Sequence, residues 1–473
     1  MATTATDRGL LLGGEWVETG AWLEVASPYS GEPVGRIAKG GVAETIRALD
    51  AAEGALAEPI PAHRRAAILD SVARALSERR DEAAAMISAE AGKPLKAARV
   101  EADRAVSTYT FAAVEARRLT GETVPMEASA AGEGKLAFTI RVPVGIVAAI
   151  TPFNFPLNLV AHKIAPAFAA GCPVVLKPAS ATPLSAAFLA ELAVGAGLPP
   201  GWLNLVVGPA REIGGTLTDD PRVALITFTG SGEVGWQLAA RAGRKRVKLE
   251  LGNATPVIVD EGADVEKAAA ALAANAFSFA GQSCISVQRI YAHRSRYDEL
   301  VQALVPRVEA LKVGDPADPE TDVGPVIDAE ARERILDWIR ESGGRVLTGG
   351  DTTDDGVIRP TVIADPASDS KVECEEIFGP VCTVSAVESL DEAIARANAT
   401  RYGLQAGIFT PSIGNALRAA RELEFGGVVV NEAPTFRADQ MPYGGTKASG
   451  NTKEGPAWAV RELTEERLVV VQL

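Results

Sequence analysis

From Val174 onward, short β-branched apolar runs alternate with helix-length stretches across Gly- and Pro-containing turns, and nothing else in the chain constrains its fold so strongly. The runs are "PVVLKP", "LNLVVG", "VALITFTGS" and "RVKLELG"; between them lie "PLSAAFLAELAVGAG", "GGTLTD" and "EVGWQLAARAG". Runs this apolar predict strands buried on both faces, and strands separated by helices predict a doubly wound parallel sheet. A second series runs from "PVIVDEGADVEKAAAALAANAFSFAG" through "SVQRIYAHR", "RVLTGG" and "VIRPTVI" to "GGVVVN", which predicts another α/β domain with its own sheet. Nucleotides bind at the carboxyl ends of such strands.

Upstream, "AETIRALDAAEGAL", "AHRRAAILDSVARALSERRDEAAAMISAEAG" and "KAARVEADRAVSTYTFAAVEARR" repeat apolar residues at helical spacing. The 473-residue length exceeds what one core supports. The final "EERLVVVQL" predicts a strand with no neighbour nearby in sequence, and the small-residue stretch from Ala128 to Leu136 predicts a hairpin or turn. Unpaired strands seek partners, so both segments are expected to serve oligomer contacts.

A formal net charge of −14 opposes attraction to nucleic acid or anionic membrane. The basic run Arg244 to Lys248 reads as a solvated helix end. Four cysteines without C-x-x-C spacing oppose both zinc and a disulfide framework. The N-terminus lacks the apolar region of a signal peptide, and "VPVGIVAAITPFNFPLNLVAHK" is interrupted by Pro152 and Pro156, so a cytoplasmic protein is expected.

Cys284 stands in "FSFAGQSCISVQR", where Gly281, Ala280 and Ser283 leave room around the sulfur. A reactive thiol needs a base or a positive group, yet the three histidines (His63, His162, His293) form no local Cys/His signature. Glu250 stands at the end of the apolar strand "RVKLE", where desolvation would fit it as a general base. Asn154, in "ITPFNFPLN", can donate to an oxyanion. "FTGSGEVG", Phe228 to Gly235, is a strand, turn and helix start that can receive a phosphate, though without G-x-G-x-x-G spacing, and Lys177 can meet ribose or phosphate at another strand end. A hydrolytic cysteine esterase or a non-catalytic binding protein would use the same scaffold.

"ITPFNFPLN", "LKPASATP", "FTGSGEVG", "LELGNATP", "GQSC", "EEIFGPV" and "MPYGGTKASGNTKEG", in this order, resemble the aldehyde dehydrogenase superfamily over nearly the whole chain. The resemblance implies two Rossmann-like α/β domains plus a small β oligomerisation element. Its nucleotide-binding part would span residues 1–119 and 141–249, its catalytic part 250–430, and its oligomerisation element 120–140 with 455–473.

The resemblance also implies oxidation of a small aldehyde by NAD or NADP through a thiohemiacetal and thioester on Cys284. Asn154 would steady the oxyanion and Glu250 activate the hydrolytic water. For the cofactor it implies Lys177 at the adenosine ribose, Ser231 with Phe228 and Gly230 at the pyrophosphate turn, and Glu376 with Phe378 at the nicotinamide. Ser180 stands where NAD-preferring members often carry glutamate, so NADP is tolerated. Two departures are Asn253, where a glycine is usual, and Tyr443, where phenylalanine is commoner. "NEAPTFRADQMPYGG" is closest to the lactaldehyde and phosphonoacetaldehyde branch, implying that Arg104 and Arg437 recognise an anionic substrate group. A homodimer or homotetramer, without metal, is implied.

Overall fold

The apolar runs become the strands of two seven-stranded sheets in the computed structural model, which describes residues 6–473. The first sheet has the order Arg246–Glu250, Val223–Thr229, Ile146–Ile150, Val174–Lys177, Leu203–Leu205, Leu10–Leu12 and Glu15–Val17. Its first five strands pair in parallel, and the last two join through antiparallel pairings. Ile146–Ile150 and Val174–Lys177 are buried at every position, as strands covered on both faces must be. The helix Leu95–Arg118 buries Ala98, Ala102, Ala105, Tyr109, Ala112 and Ala116, a stripe at three- and four-residue spacing. The upstream helical text is two helices rather than one, Ala62–Glu78 and Arg80–Ala91, because Arg79 leaves helical geometry between them (φ −106°, ψ 25°).

The second sheet has the order Arg345–Thr348, Thr361–Ala364, Val381–Val387, Val287–His293, Thr255–Val259, Gln405–Phe409 and Gly427–Val430. Only the edge strand Arg345–Thr348 runs antiparallel to its neighbour.

The C-terminal strand finds its partner within the same chain. Thr464–Gln472 pairs antiparallel with Lys135–Pro143 along its whole length, and Thr123–Val124 completes a three-stranded sheet. The small-residue stretch between the latter two is a pair of 3₁₀ turns within a hairpin. Strand Lys135–Pro143 runs past residue 140, and the helix Pro456–Glu462, with Leu463, places Val460 and Leu463 in the core of the first unit.

The register of the first sheet builds the site. Glu250 lies opposite Thr229, Phe228 opposite Ile150, and Ile150 opposite Lys177. Four neighbouring parallel strands therefore end side by side in Glu250, the Gly230–Ser231 turn, the Asn154 loop and Lys177.

Candidate active site

The helix Val265–Ala276 stops eight residues before Cys284. The chain then turns through Phe279, Ala280 and Gly281 with φ of 50°, 52° and 67°. Left-handed geometry is costly for Phe and Ala, so packing must impose it. Both side chains are buried, the Lys93 ammonium lies 4.4 Å from the Phe279 ring centre, and a Cβ at Gly281 would stand 2.0 Å from the Gly379 carbonyl oxygen. Gln282, an odd choice for an apolar core, ties this turn down. Its Oε1 accepts from the Ile327 amide at 2.8 Å, and its carbonyl accepts from Asn154 Nδ2 at 2.9 Å.

Past this turn, Cys284 borders a cavity of about 380 Å³ together with Asn154, Glu250, Glu376, Phe378 and Tyr443. Its Sγ lies 2.9 Å from the Tyr443 hydroxyl. Burial pushes the thiol up to about 12, against the pull of that hydrogen bond, so the resting sulfur is protonated. Glu250 is buried with neither carboxylate oxygen hydrogen-bonded, and burial first, then the nearby Glu454 charge, raises it well above the ordinary carboxylate range. Such a carboxyl is a poised proton acceptor.

Asn154 spends one amide hydrogen on Gln282, leaving the other free. Its backbone carbonyl accepts from Lys93 Nζ at 2.6 Å, and Lys93 is ion-paired to Glu101 in the interior. Glu101 in turn accepts from the Leu157 and Asn158 amides at 2.9 and 3.1 Å, so one buried ion pair fixes the whole Asn154 loop. Sequence reading missed Lys93 and Glu101. Their signal was a glutamate on the otherwise alanine-filled buried face of the helix Leu95–Arg118 and a lysine in the short loop just before it.

The residues expected at the cofactor leave room for it. Ser231 caps the helix Gly232–Arg241, and any side chain at Gly230 would strike the Phe228 ring at 2.7 Å. Thr229 Oγ1 in the same turn is buried without a partner. Lys177 is buried with its ammonium bonded to the Pro178 carbonyl at 3.0 Å, and burial lowers it to about 8. Ser180 donates to the Gly208 carbonyl at 3.2 Å. Phe378, itself at φ 51°, meets Phe153 edge to face at 5.8 Å. Open donors, a helix N-terminus and a glycine turn fit a dinucleotide. Lys177, Ser180 and Phe228 stand outside the cavity that holds the thiol; Gly230, Ser231, Glu376 and Phe378 border it.

Asn253 explains its own departure. Its amide N–H donates to Glu376 Oε1 at 3.0 Å and its side chain to the Gln405 carbonyl at 2.9 Å, so it joins Glu376 to the second sheet. At Gly252, a Cβ would lie 2.3 Å from Glu376 Oε2.

Arg104 and Arg437 both border the cavity, and both are ion-paired. Arg104 meets Asp439 at 3.0 Å, which also meets His162 at 3.0 Å; Arg437 meets Glu454 at 2.7 Å, and Lys163 stands 3.5 Å from Glu454. Burial pushes Glu454 up, but Arg437 and Lys163 outweigh it and hold the carboxyl at about 2. The Nε atoms of Arg104 and Arg437 remain buried without acceptors. His162, inside the helix Asn158–Ala170, is buried within this cluster, whereas His63 is exposed.

Known proteins carry the same pattern. The model of the aldehyde dehydrogenase family matches residues 16–469. A 3-sulfolactaldehyde dehydrogenase of Priestia aryabhattai is 43% identical over 100% of this chain and 99% of its own. A lactaldehyde dehydrogenase of Methanocaldococcus jannaschii is 38% identical over 98% of this chain and 100% of its own. The solved NADP-dependent glyceraldehyde-3-phosphate dehydrogenase of Bacillus halodurans, complexed with NADP, superposes with a TM-score of 0.96 at 35% identity, covering 99% of this chain and 100% of that one. The chain belongs to the aldehyde dehydrogenase family and is an oxidoreductase that takes an aldehyde to its acid with NAD or NADP.

Proposed function

We propose that the protein oxidises a small aldehyde bearing an anionic group, through a thioester on Cys284. The observation that carries this reading is a single cavity bordered by a thiol, an unpartnered buried carboxyl, a free amide hydrogen and three guanidiniums, those of Arg104, Arg334 and Arg437. NAD or NADP, when bound, supplies the hydride acceptor. Cys284 gives up its proton to a carboxylate base or water and attacks the carbonyl carbon, and the free N–H of Asn154 with the Cys284 amide receives the oxyanion. Loss of hydride from that carbon leaves a thioester on Cys284. Glu250 then takes a proton from a water, which attacks the acyl carbon and releases the acid and the thiolate.

Arg104 and Arg437 retain unused Nε–H donors with which to hold a remote carboxylate or sulfonate. The Priestia relative is named for a sulfonated hydroxyaldehyde, which supports an anionic substrate. Lys177 is assigned to the adenosine ribose, Ser231 with Phe228 and Gly230 to the pyrophosphate, and Glu376 with Phe378 to the nicotinamide end. Ser180 brings no negative charge against a 2′-phosphate, so NADP is accepted beside NAD.

The first sheet unit is assigned to nucleotide binding and the second to catalysis. The three-stranded sheet is assigned to assembly of a homodimer or homotetramer, since strand Thr464–Gln472 exposes Leu468, Val470 and Val471 beside a free edge. No helix among the described residues is long and apolar enough to cross a membrane, and all four cysteines are free, the state a reducing compartment keeps, which supports a cytoplasmic assignment.

The test follows reduced-cofactor absorbance with 3-sulfolactaldehyde, lactaldehyde, succinate semialdehyde and propanal, each with NAD and NADP. An anionic aldehyde is expected to exceed propanal in kcat/KM by at least roughly tenfold, and Cys284→Ala to abolish oxidation. Equal use of propanal would remove the anion site; oxidation surviving in Cys284→Ala would remove the thioester.

A further inference from the structure

Tyr443 occupies a place where an aromatic ring is needed but an oxygen is not. The ring packs with Ile285 and Leu404, a contact that phenylalanine would make equally well. Yet the side chain carries a hydroxyl, and its one hydrogen bond among the described residues reaches the Cys284 sulfur at 2.9 Å. The backbone holds that hydroxyl in place. Tyr443 N–H donates to the Glu454 carbonyl at 3.1 Å, and the Tyr443 carbonyl accepts in return from Glu454 N–H at 2.6 Å. The Arg437 guanidinium lies over the ring, 3.8 Å from its centre, and is itself held by Glu454.

We propose that Tyr443 is a catalytic residue whose hydroxyl donates to the Cys284 sulfur after the thiol ionises, stabilising the thiolate that attacks the aldehyde. This rests on the reading of Cys284 as nucleophile. Direction of donation follows from which group keeps its proton. The phenol is buried and lies beside the sulfur, both of which hold its proton on, so the proton that leaves is the one on sulfur, taken by a carboxylate base or water. A hydrogen bond to an ionised sulfur is charge-assisted and stronger than the same bond to a thiol, so it favours the thiolate.

The other charges facing the sulfur divide by sign. Arg437 favours the thiolate; Glu376 and Glu250 oppose it when ionised. Tyr443 is therefore the neutral donor that offsets two carboxylates, and it acts before any cofactor has bound.

The experiment measures the rate of Cys284 alkylation by iodoacetamide against pH, on the full chain without cofactor, following the modified peptide by mass. Alkylation reports thiolate and does not depend on turnover. Tyr443→Phe removes one oxygen and leaves the ring beneath Arg437, so the packing stays. Its alkylation rate is expected to be about tenfold lower at every pH at which the protein stays folded, as about one unit of upward shift in the thiol requires. Its kcat/KM should fall by a similar factor near neutrality. Superimposable alkylation profiles for the two proteins would overturn the proposal. Oxidation retained by Cys284→Ala would fail the nucleophile reading itself, and would overturn the catalytic part of this proposal with it.

Discussion

Two sets of ionisable side chains stand at one cavity, and they are built on opposite principles; of the paired set Arg104, Arg437 and Glu454 border it, and His162, Lys163 and Asp439 stand behind them. Arg104, His162, Lys163, Arg437, Asp439 and Glu454 each meet an opposite partner within 3.5 Å. Cys284 and Glu250 meet none; the carboxyl has no hydrogen bond at all and the sulfur has only a phenol. Burial costs both sets solvation, but only the paired set regains it as attraction. The cavity thus separates groups that hold charge permanently from groups whose proton is left ready to move. Lys177 belongs with the second kind. It is a buried ammonium bonded only to a carbonyl, while Lys163, equally buried, has Glu454.

Glu250→Gln should break the comparison most severely on the reactive side. It keeps the shape, removes the base, and is expected to lower kcat by about 10²–10⁴-fold, while rapid mixing still shows one turnover of reduced cofactor before the slow phase. The same change should leave the melting temperature unchanged or raise it, because it removes a carboxyl that burial disfavours.

Arg437→Met should do the reverse. Glu454 loses its nearest counter-charge, and the expected cost is about 3–5 kcal/mol, read as a fall in apparent melting temperature larger than that of Glu250→Gln. If the two variants destabilise equally, the distinction between paired and poised groups fails.

The smallest expected effect is a pH dependence of cofactor use. Lys177 is lowered to about 8 by burial, so its ammonium is present below that pH and lost above it. Its folded value lies below its unfolded one, so raising pH from about 8 to the ordinary lysine range costs the fold nothing and relieves it. The loss falls on the ligand instead: KM for NAD or NADP should rise several-fold between about pH 7 and 9, and the rise should vanish in Lys177→Met.

Much of this was legible in the chain because strand ends carry chemistry. A carboxylate closing "RVKLE" and a lysine closing "VVLK" stand out against apolar text, and parallel topology brings those ends together. The Asn154 loop was legible for the same reason, being aromatic, proline-bounded and directly after "IVAAI". What was not legible depends on distance. Cys284 and Tyr443 are 159 residues apart, and no local pattern links a phenol to a thiol across that span. The Lys93 anchor of Asn154 is 61 residues away. Nor does "FSFAG" announce a left-handed turn, since Phe and Ala adopt one only when their surroundings leave no alternative. Nor do the seven residues of the helix Pro456–Glu462 reveal that it packs on the helices Leu95–Arg118 and Asn158–Ala170.

The close approach of Gly281 to the Gly379 carbonyl has a mechanical consequence. With no room for even one carbon between them, the turn that presents the sulfur and the turn that presents Phe378 move as one rigid part. The nucleophile can pivot about its own side-chain bonds, while this contact resists its displacement relative to Phe378, the residue next to Gly379. Alignment between the two is set when the chain folds, not when a ligand arrives.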